Sequence, residues 1–586
     1  MKTDRIILAG LALTALVSCN KEAAPADGGV FRTDEAYMNI RIAYADKGLT
    51  TRAVGDDTNP FYYGTADEQV VNSADFFFYN ADGSYVTHVS QSASGTSSGT
   101  GIGTSDDVEW KGNSTVVLKG LKSKNYPKLM VVILNGGAFA NNLERKPLKD
   151  VSAEIVEAIA SVGTNSQADW TNFVMTSSSF AEPGVTQFYT TALVPENFQD
   201  SEEGAVAHPV VAYVERLAAK VQLNLGTAFD AENKTSIGSY HINGTSTPTE
   251  LYTKVIGWGL NATAKNEYLY KVIQSDWTFS PFEWNDAANF RSYWCKSTNY
   301  GNGTYPDSYL NSTSTPSKNY NAATATLSYV GYDGLSVAPG KSAYCRENTN
   351  VTSMLSTENV NSTVTCVLLK TIVTDASGNA QSLALFDGTL YTEDNYKDRV
   401  LEKYHLANSA AYIPWVSSDG AAFRMVTKEY FVENNAGDGK AYLTFKDLSG
   451  TTEKYYRHTG TGTSAADFTE ITVAVANTMI NGTGLRQNTR CSLYKDGMMY
   501  YSIPIEHLRN SGKTYKDAGY QYPEADYGIV RNHFYNVTIN KIEHIGNAVF
   551  DPDEEIIPND EDNTNYNVGA QINILSWKVV NQTVDL

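Results

Sequence analysis

Beyond its first twenty residues this chain has no apolar run long enough to cross a bilayer, because a spanning helix needs about 20 consecutive apolar residues. Cysteine is scarce, with five in 586 residues and no CxxC pair, which argues against a disulfide-dense scaffold. The eight histidines are scattered without an HExxH or similar spacing, so no metal site is predicted. Positive charge is also short: 45 Lys and Arg stand against 65 Asp and Glu, for a net charge of -20. With no concentrated basic footprint, nucleic acid is excluded as a partner.

Catalytic motifs fail on context. GTSSG (95–99) has the nucleophile-elbow pattern but lies in the Ser/Gly-rich loop 90–105, where no strand-to-helix turn could expose a nucleophile. GTGIGT (99–104) opens no helix, so it makes no phosphate loop. The acidic run 551–562 lacks the Gly and terminal Glu of a calcium loop. No catalytic residue and no cofactor are predicted, and the chain reads as a non-enzyme.

What is present points to sheets. The length calls for two domains, with room for a large insertion. Tyr (38) far exceeds Phe (21) and Trp (8), a balance that suits half-exposed strands, so the fold class is all-β. In EAYMNIRIAY (35–44), Met38, Ile40, Ile42 and Tyr44 fall on one face at a period of two, the pattern of a half-buried strand. Further strands are read at 75–79, 85–89, 115–121, 128–135, 251–261, 363–374, 382–392, 429–434, 471–476, 498–508 and 533–542. YVERLAAKVQLNL (213–225) reads as one strand closing the first domain near 226. Residues 150–163 read as a helix, with Val151, Ile155, Ile159 and Val162 on one face and Gly163 as the stop. A polar stretch over 295–345 reads as a long surface loop. DPDEEIIPNDEDNTN (551–565) reads as an extended acidic linker carrying a last strand over 566–586.

The N-terminus carries Lys2 and Arg5, the apolar run 6–17, then LVSC (16–19). This fits a signal peptide ending in a lipobox, with Cys19 as the acylated residue that would tether the chain to a bilayer. Cys295, Cys345, Cys366 and Cys491 allow two disulfides in three pairings, or buried free thiols, and sequence does not choose. The aromatics Trp277, Phe279, Phe282, Trp284, Phe290, Tyr293 and Trp294 suit either a sandwich edge or sugar stacking. The second use would make the chain a glycan-binding surface lipoprotein.

Several of these segments together resemble the fimbrillins of the Bacteroidales, the subunits of protease-activated pili, and most closely the major subunit of the short fimbriae. The resemblance rests on LVSC (16–19), TTRAV (50–54), FVMTSSS (173–179), VERLAAKV (214–221) and VIGWGLN (255–261). RNHFYNVTINKIEHIG (531–546) and INILSWKVV (572–580) complete it. It implies two transthyretin-like β-sandwich domains with a few short helices, and export as a lipoprotein. An Arg-specific protease would then cut after Arg52 to leave Ala53 as the new N-terminus. The expected layout is a signal peptide 1–19, a propeptide 20–52, domains 53–226 and 227–550, and a linker with donor strand 551–586. The implied partners are other copies of the chain, joined head to tail, and accessory tip and anchor fimbrillins. Loss of the strand 35–44 would open a groove that a neighbour's C-terminal strand fills, with Ile572, Ile574, Trp577 and Val579 in its pockets. Arg41 lies inside a predicted strand, where backbone pairing should shield it from a protease.

Overall fold

The computed structural model describes residues 35–43, 64–65, 67–92, 110–119, 126–157, 159–162, 170–178, 189–273, 278–279, 282–283, 294–301, 325–350, 363–406, 413–483, 488–507, 527–558, 568–575 and 580–582. These are mostly strands. The first sheet includes β1 (Glu35–Ala43), β2 (Trp110–Lys119) and β3 (Val210–Arg216). Its order is Tyr85–Ser92, Ser73–Tyr79, Leu129–Leu134, Met175–Ser177, β3, β1, β2. The terminal strands Tyr85–Ser92 and β2 touch, so the sheet curls round its core. Phe76, Phe77 and Phe78 are all fully buried, which explains why DFFFY reads as an unbroken apolar run instead of an alternation.

The chain then crosses to a second sandwich. β3 stops at Arg216, and β4 (Ala219–Leu225) pairs in a different sheet. That sheet runs Ser342–Cys345, β4, β5 (Phe534–Ile542), β6 (Val568–Leu575), β7 (Val580–Gln582). The sheet facing it holds Lys234–Tyr240, Thr249–Asn261, Cys366–Thr374, Met498–Pro504 and Asn547–Ala548. Val221, Leu223, Val537 and Ile539 of one sheet share a core with Val255, Trp258, Leu369 and Tyr501 of the other. The single strand expected over 213–225 is therefore two. The break is fixed by Asn532, whose side chain accepts from the Arg216 amide (3.2 Å) and whose amide donates to Ala218 O (2.8 Å).

Residues 383–494 form an inserted unit with its own apolar clusters. It contains a five-stranded sheet, a four-stranded sheet and the helices Glu393–Leu406 and Val473–Asn481. The second helix replaces the strand expected over 471–476. Thr472 caps it by accepting from the Val475 amide (3.3 Å), and Ala476 and Ile480 are buried at helical spacing, a period that a six-residue window cut off. The helix expected over 150–163 is also corrected. Among the described residues of this segment only Leu148–Ser152 is helical, and Ile155–Val156 pairs with Glu267–Tyr268, which lies past the crossing to the second sandwich in sequence. Nor is 295–345 a surface loop where it is described: Trp294 and Cys295 are buried and Ser342–Cys345 is a sheet strand. Cys295, Cys345, Cys366 and Cys491 are all buried free thiols.

Candidate strand-exchange site

β1 forms because its alternation places Ala36, Met38 and Ile40 on one face, and these are 1%, 0% and 0% exposed. It is not an edge strand. On one side it pairs antiparallel with β2, from Glu35 opposite Lys119 to Ile42 opposite Gly112, with a bulge at Ala43. On the other it runs parallel to β3, from Ile40 opposite Val210 to Ala43 opposite Tyr213. Its N-terminal half meets Gln199 instead: the Tyr37 amide donates to Gln199 O (2.8 Å) and the Gln199 amide to Tyr37 O (2.9 Å). Arg41 is paired on both sides. Among the described residues β2 joins the sheet through β1 alone. Withdrawing β1 would thus bare an edge on β3 and leave β2 without a ladder, opening a slot bounded by backbone donors and acceptors on both walls. Burial of Met38 and Ile40 alone stabilises the seated strand by about 3–6 kcal/mol.

The other half of the proposed exchange lies on the second sandwich. β6 pairs antiparallel with β5, from Phe534 opposite Leu575 to Ile542 opposite Val568, with an irregularity between Ile539 and Lys541. β7 folds back on β6, with Ile572 opposite Gln582. Ile572 and Ile574 therefore sit on a strand already paired with its own subunit. β3, β4, β5 and β6 are linked in turn by one chain crossing and two ladders.

Between these regions lies a buried group of ion pairs. Arg531 contacts Glu347 at 2.6 Å and Glu267 at 3.0 Å, all three with fully buried side chains. Lys271 meets Glu215 at 2.8 Å and Lys220 meets Glu68 at 2.6 Å. Tyr344 donates to the same Glu68 carboxylate, and Arg216 Nε donates to Glu68 O at 3.0 Å. Burial pushes the Glu267 carboxyl well above the usual range, against the pull of Arg531. For Arg531 burial acts to lower the pKa, but Glu267 and Glu347 outweigh it and the guanidinium is held charged. Glu215, Arg216 and Lys220 fall in VERLAAKV and Arg531 opens RNHFYNVTINKIEHIG, and the sequence reading assigned these charges no role. The available signal was charge inside apolar strands, which requires a buried partner.

His507 is buried beside the Tyr535 hydroxyl (2.8 Å). Burial first, then His533 and Lys271, lower its pKa well below 6.5. Above that value both folded and unfolded chains carry it neutral. As pH falls through about 6.5 the unfolded chain takes a proton that the folded one refuses, so stability is lost on acidification. His507→Asn is expected to flatten the fall in denaturation midpoint between about pH 7 and pH 5; an unchanged slope would assign it to other groups.

Cys19, Tyr44, Arg52, Ala53, Trp577 and Val579 lie outside the described residues. Of the aromatic group, Trp294 is 1% exposed and its ring lies 5.5 Å from that of His507, a core position that no sugar reaches.

Residues 492–583 match the family model described as "Major fimbrial subunit protein type IV, Fimbrillin, C-terminal". The fimbrillin resemblance read from the sequence is met over this stretch, which includes β5, β6 and β7. Among solved structures, a fimbrilin from Porphyromonas gingivalis W83 is 15% identical, with 94% of this chain and 100% of that one covered at a TM-score of 0.34. A putative cell adhesion protein from Bacteroides eggerthii is 12% identical, covering 94% and 98% at 0.33. A tip fimbrial protein from Porphyromonas gingivalis with a C-terminal truncation is 9% identical, covering 93% and 100% at 0.31. No curated protein matches the sequence.

Proposed function

We infer that this chain, a fimbrillin by the match over residues 492–583, is a structural subunit of a cell-surface fimbria that serves adhesion and polymerises by exchanging strands. The reading is carried by one observation: β1 is the first described strand of the chain, sits inside a sheet between β2 and β3, and precedes Arg52 in the sequence. It is the stalk subunit, of the kind found in short fimbriae, because it has both a removable first strand and a strand-forming tail. The precursor travels as a lipoprotein acylated at Cys19 and stays on the outer membrane until an Arg-specific protease cuts between Arg52 and Ala53. We place the division between the two sandwiches at Leu217–Ala218, ahead of the boundary near 226 read from the sequence, because β3 and β4 pair in different sheets.

Cutting severs the covalent tie to β1 but not its ladders. Because β1 holds β2 in the sheet, its departure and the arrival of a replacement are coupled: an incoming strand restores the same pairs as it displaces the old one. Each subunit carries one slot and one tail, so contacts repeat head to tail into an open filament. Partners are other copies of the chain, with tip and anchor fimbrillins at the ends. Arg52→Ala is expected to leave a full-length, lipidated monomer on the cell. Filaments grown from that variant would show that cleavage there is not the trigger, and N-terminal sequencing of the surface form should read Ala53.

A further inference from the structure

On the reading that the C-terminal tail is the donor, we infer that its root, residues 549–558, stays fixed to the subunit that made it, clamped by the inserted unit, so that only residues beyond Pro558 pass to a neighbour. The sequence suggests the opposite, since DPDEEIIPNDEDNTN (551–565) reads as a leash that is free from its start. In the structure its first half is built in. The Ile556 amide donates to Val330 O (2.9 Å), and Asp333 N donates to Pro552 O (3.1 Å). Fully buried Asn261 locks both chains at once: its Nδ2 donates to Ile556 O (2.9 Å) while its Oδ1 accepts from the Val330 amide (2.9 Å). Ile556 and Ile557 are buried in two different apolar clusters, one with Tyr332 and Tyr500, the other with Leu327 and Tyr329.

The inserted unit adds a second set of contacts. The turn between its strands Phe431–Gly437 and Lys440–Phe445 lies on the root. Asn435 Nδ2 donates to Glu554 Oε2 (3.2 Å) and the Asp438 amide to Glu554 Oε1 (3.4 Å). Gly439, at φ +66°, has no room for a side chain, because a Cβ there would lie 1.8 Å from Ala548 O. A root that moved with the tail would have to break buried amide hydrogen bonds and expose two isoleucines to water. The inserted unit thus fixes where the tail leaves the subunit. The reach of the tail is set by residues 559–567, about 30 Å when fully extended, against about 55 Å for a leash free from Asp551.

The test uses two crosslinks in the full-length protein, each closed with a short bis-maleimide before the Arg-specific protease is added; the native thiols at 295, 345, 366 and 491 are buried. One joins Asp438→Cys to Glu554→Cys across the root. The other joins Asn536→Cys to Asn573→Cys, which oppose each other across β5 and β6. The expected result is that the root-locked protein polymerises at the rate of its uncrosslinked control, while the tail-locked protein stays monomeric. If both stay monomeric, the root must be released and the inference is overturned, although the tail remains the donor. If the tail-locked protein forms filaments, the donor reading itself fails and this inference with it.

Discussion

Arg531→Met is expected to destabilise the folded subunit by about 3–5 kcal/mol, the cost of stripping a buried charge network of one partner. The guanidinium is fully buried. It reaches Glu347 through two nitrogens, at 2.9 and 2.6 Å, contacts Glu267 at 3.0 Å and donates to Leu269 O at 3.1 Å. Methionine fills similar volume but leaves two carboxyl groups facing each other in an apolar setting. Glu267→Gln should cost far less, because burial already favours the neutral form of that carboxyl. Pairing Arg531→Met with Glu347→Gln should recover much of the loss. Denaturant titration of the four proteins decides the matter: equal losses for Arg531→Met and Glu267→Gln would mean that Glu267 is ionised and paired with Arg531, and a loss below about 1 kcal/mol for Arg531→Met, which keeps the volume, would mean that the charge of Arg531 contributes little. Since Glu267–Tyr268 also pairs with Ile155–Val156, the single variant should loosen the junction between the two sandwiches and show early proteolysis there.

Deleting residues 566–586 is expected to abolish filament growth while leaving a folded, cleavable subunit. The deletion removes β6 and β7 from the sheet edge and leaves β5 paired with β4, so the second sandwich loses an outer ribbon and keeps its core. A synthetic peptide of the same sequence, added during cleavage, should take the place of β1 and yield a capped monomer. Filling four pockets with Ile572, Ile574, Trp577 and Val579 would contribute roughly 6–12 kcal/mol, against about 1–2 kcal/mol for ordering each backbone residue. Binding is therefore favourable only when most pockets are filled, and dissociation is slow when they are. Electron microscopy and size-exclusion chromatography read the outcome; filaments of normal length from the deleted chain would rule out the tail as donor.

Much of this was legible before any coordinates. The alternation in EAYMNIRIAY located β1, and the alternation of Tyr535, Val537 and Ile539 with Asn536, Thr538 and Asn540 in HFYNVTINKI located β5, because strands with one face on a core must repeat at two. Readings failed where a short apolar window fits two periods. ITVAVA is the entry to the helix Val473–Asn481, and its helical spacing shows only when the window extends to Ile480. Val151, Ile155 and Ile159 fit a helix on paper, but the chain leaves that helix after Ser152 because Ile155–Val156 finds a cross-domain partner. YVERLAAKVQLNL looked like one strand because its apolar residues recur along its whole length, yet Leu217 and Ala218 are buried at a crossing instead of in a ladder. In the acidic segment, charge concealed two isoleucines that anchor it.

By itself, then, the sequence determined the material: an acidic, strand-rich chain without catalytic or metal-binding motifs, with an alternating strand near one end, a polar Arg-bearing stretch of sequence after it and a second strand-forming segment near the other end. These follow from period, composition and local chemistry, which act over a few residues. The tertiary structure alone decided that the first strand is interior and holds its neighbour in place, that the tail rests on its own sandwich, that the motif charges meet in a buried junction, and that half of the acidic segment is fixed. Each of those depends on partners between tens and hundreds of residues away, and no local pattern records which distant backbone will satisfy a strand's hydrogen bonds or which distant charge will neutralise a buried one.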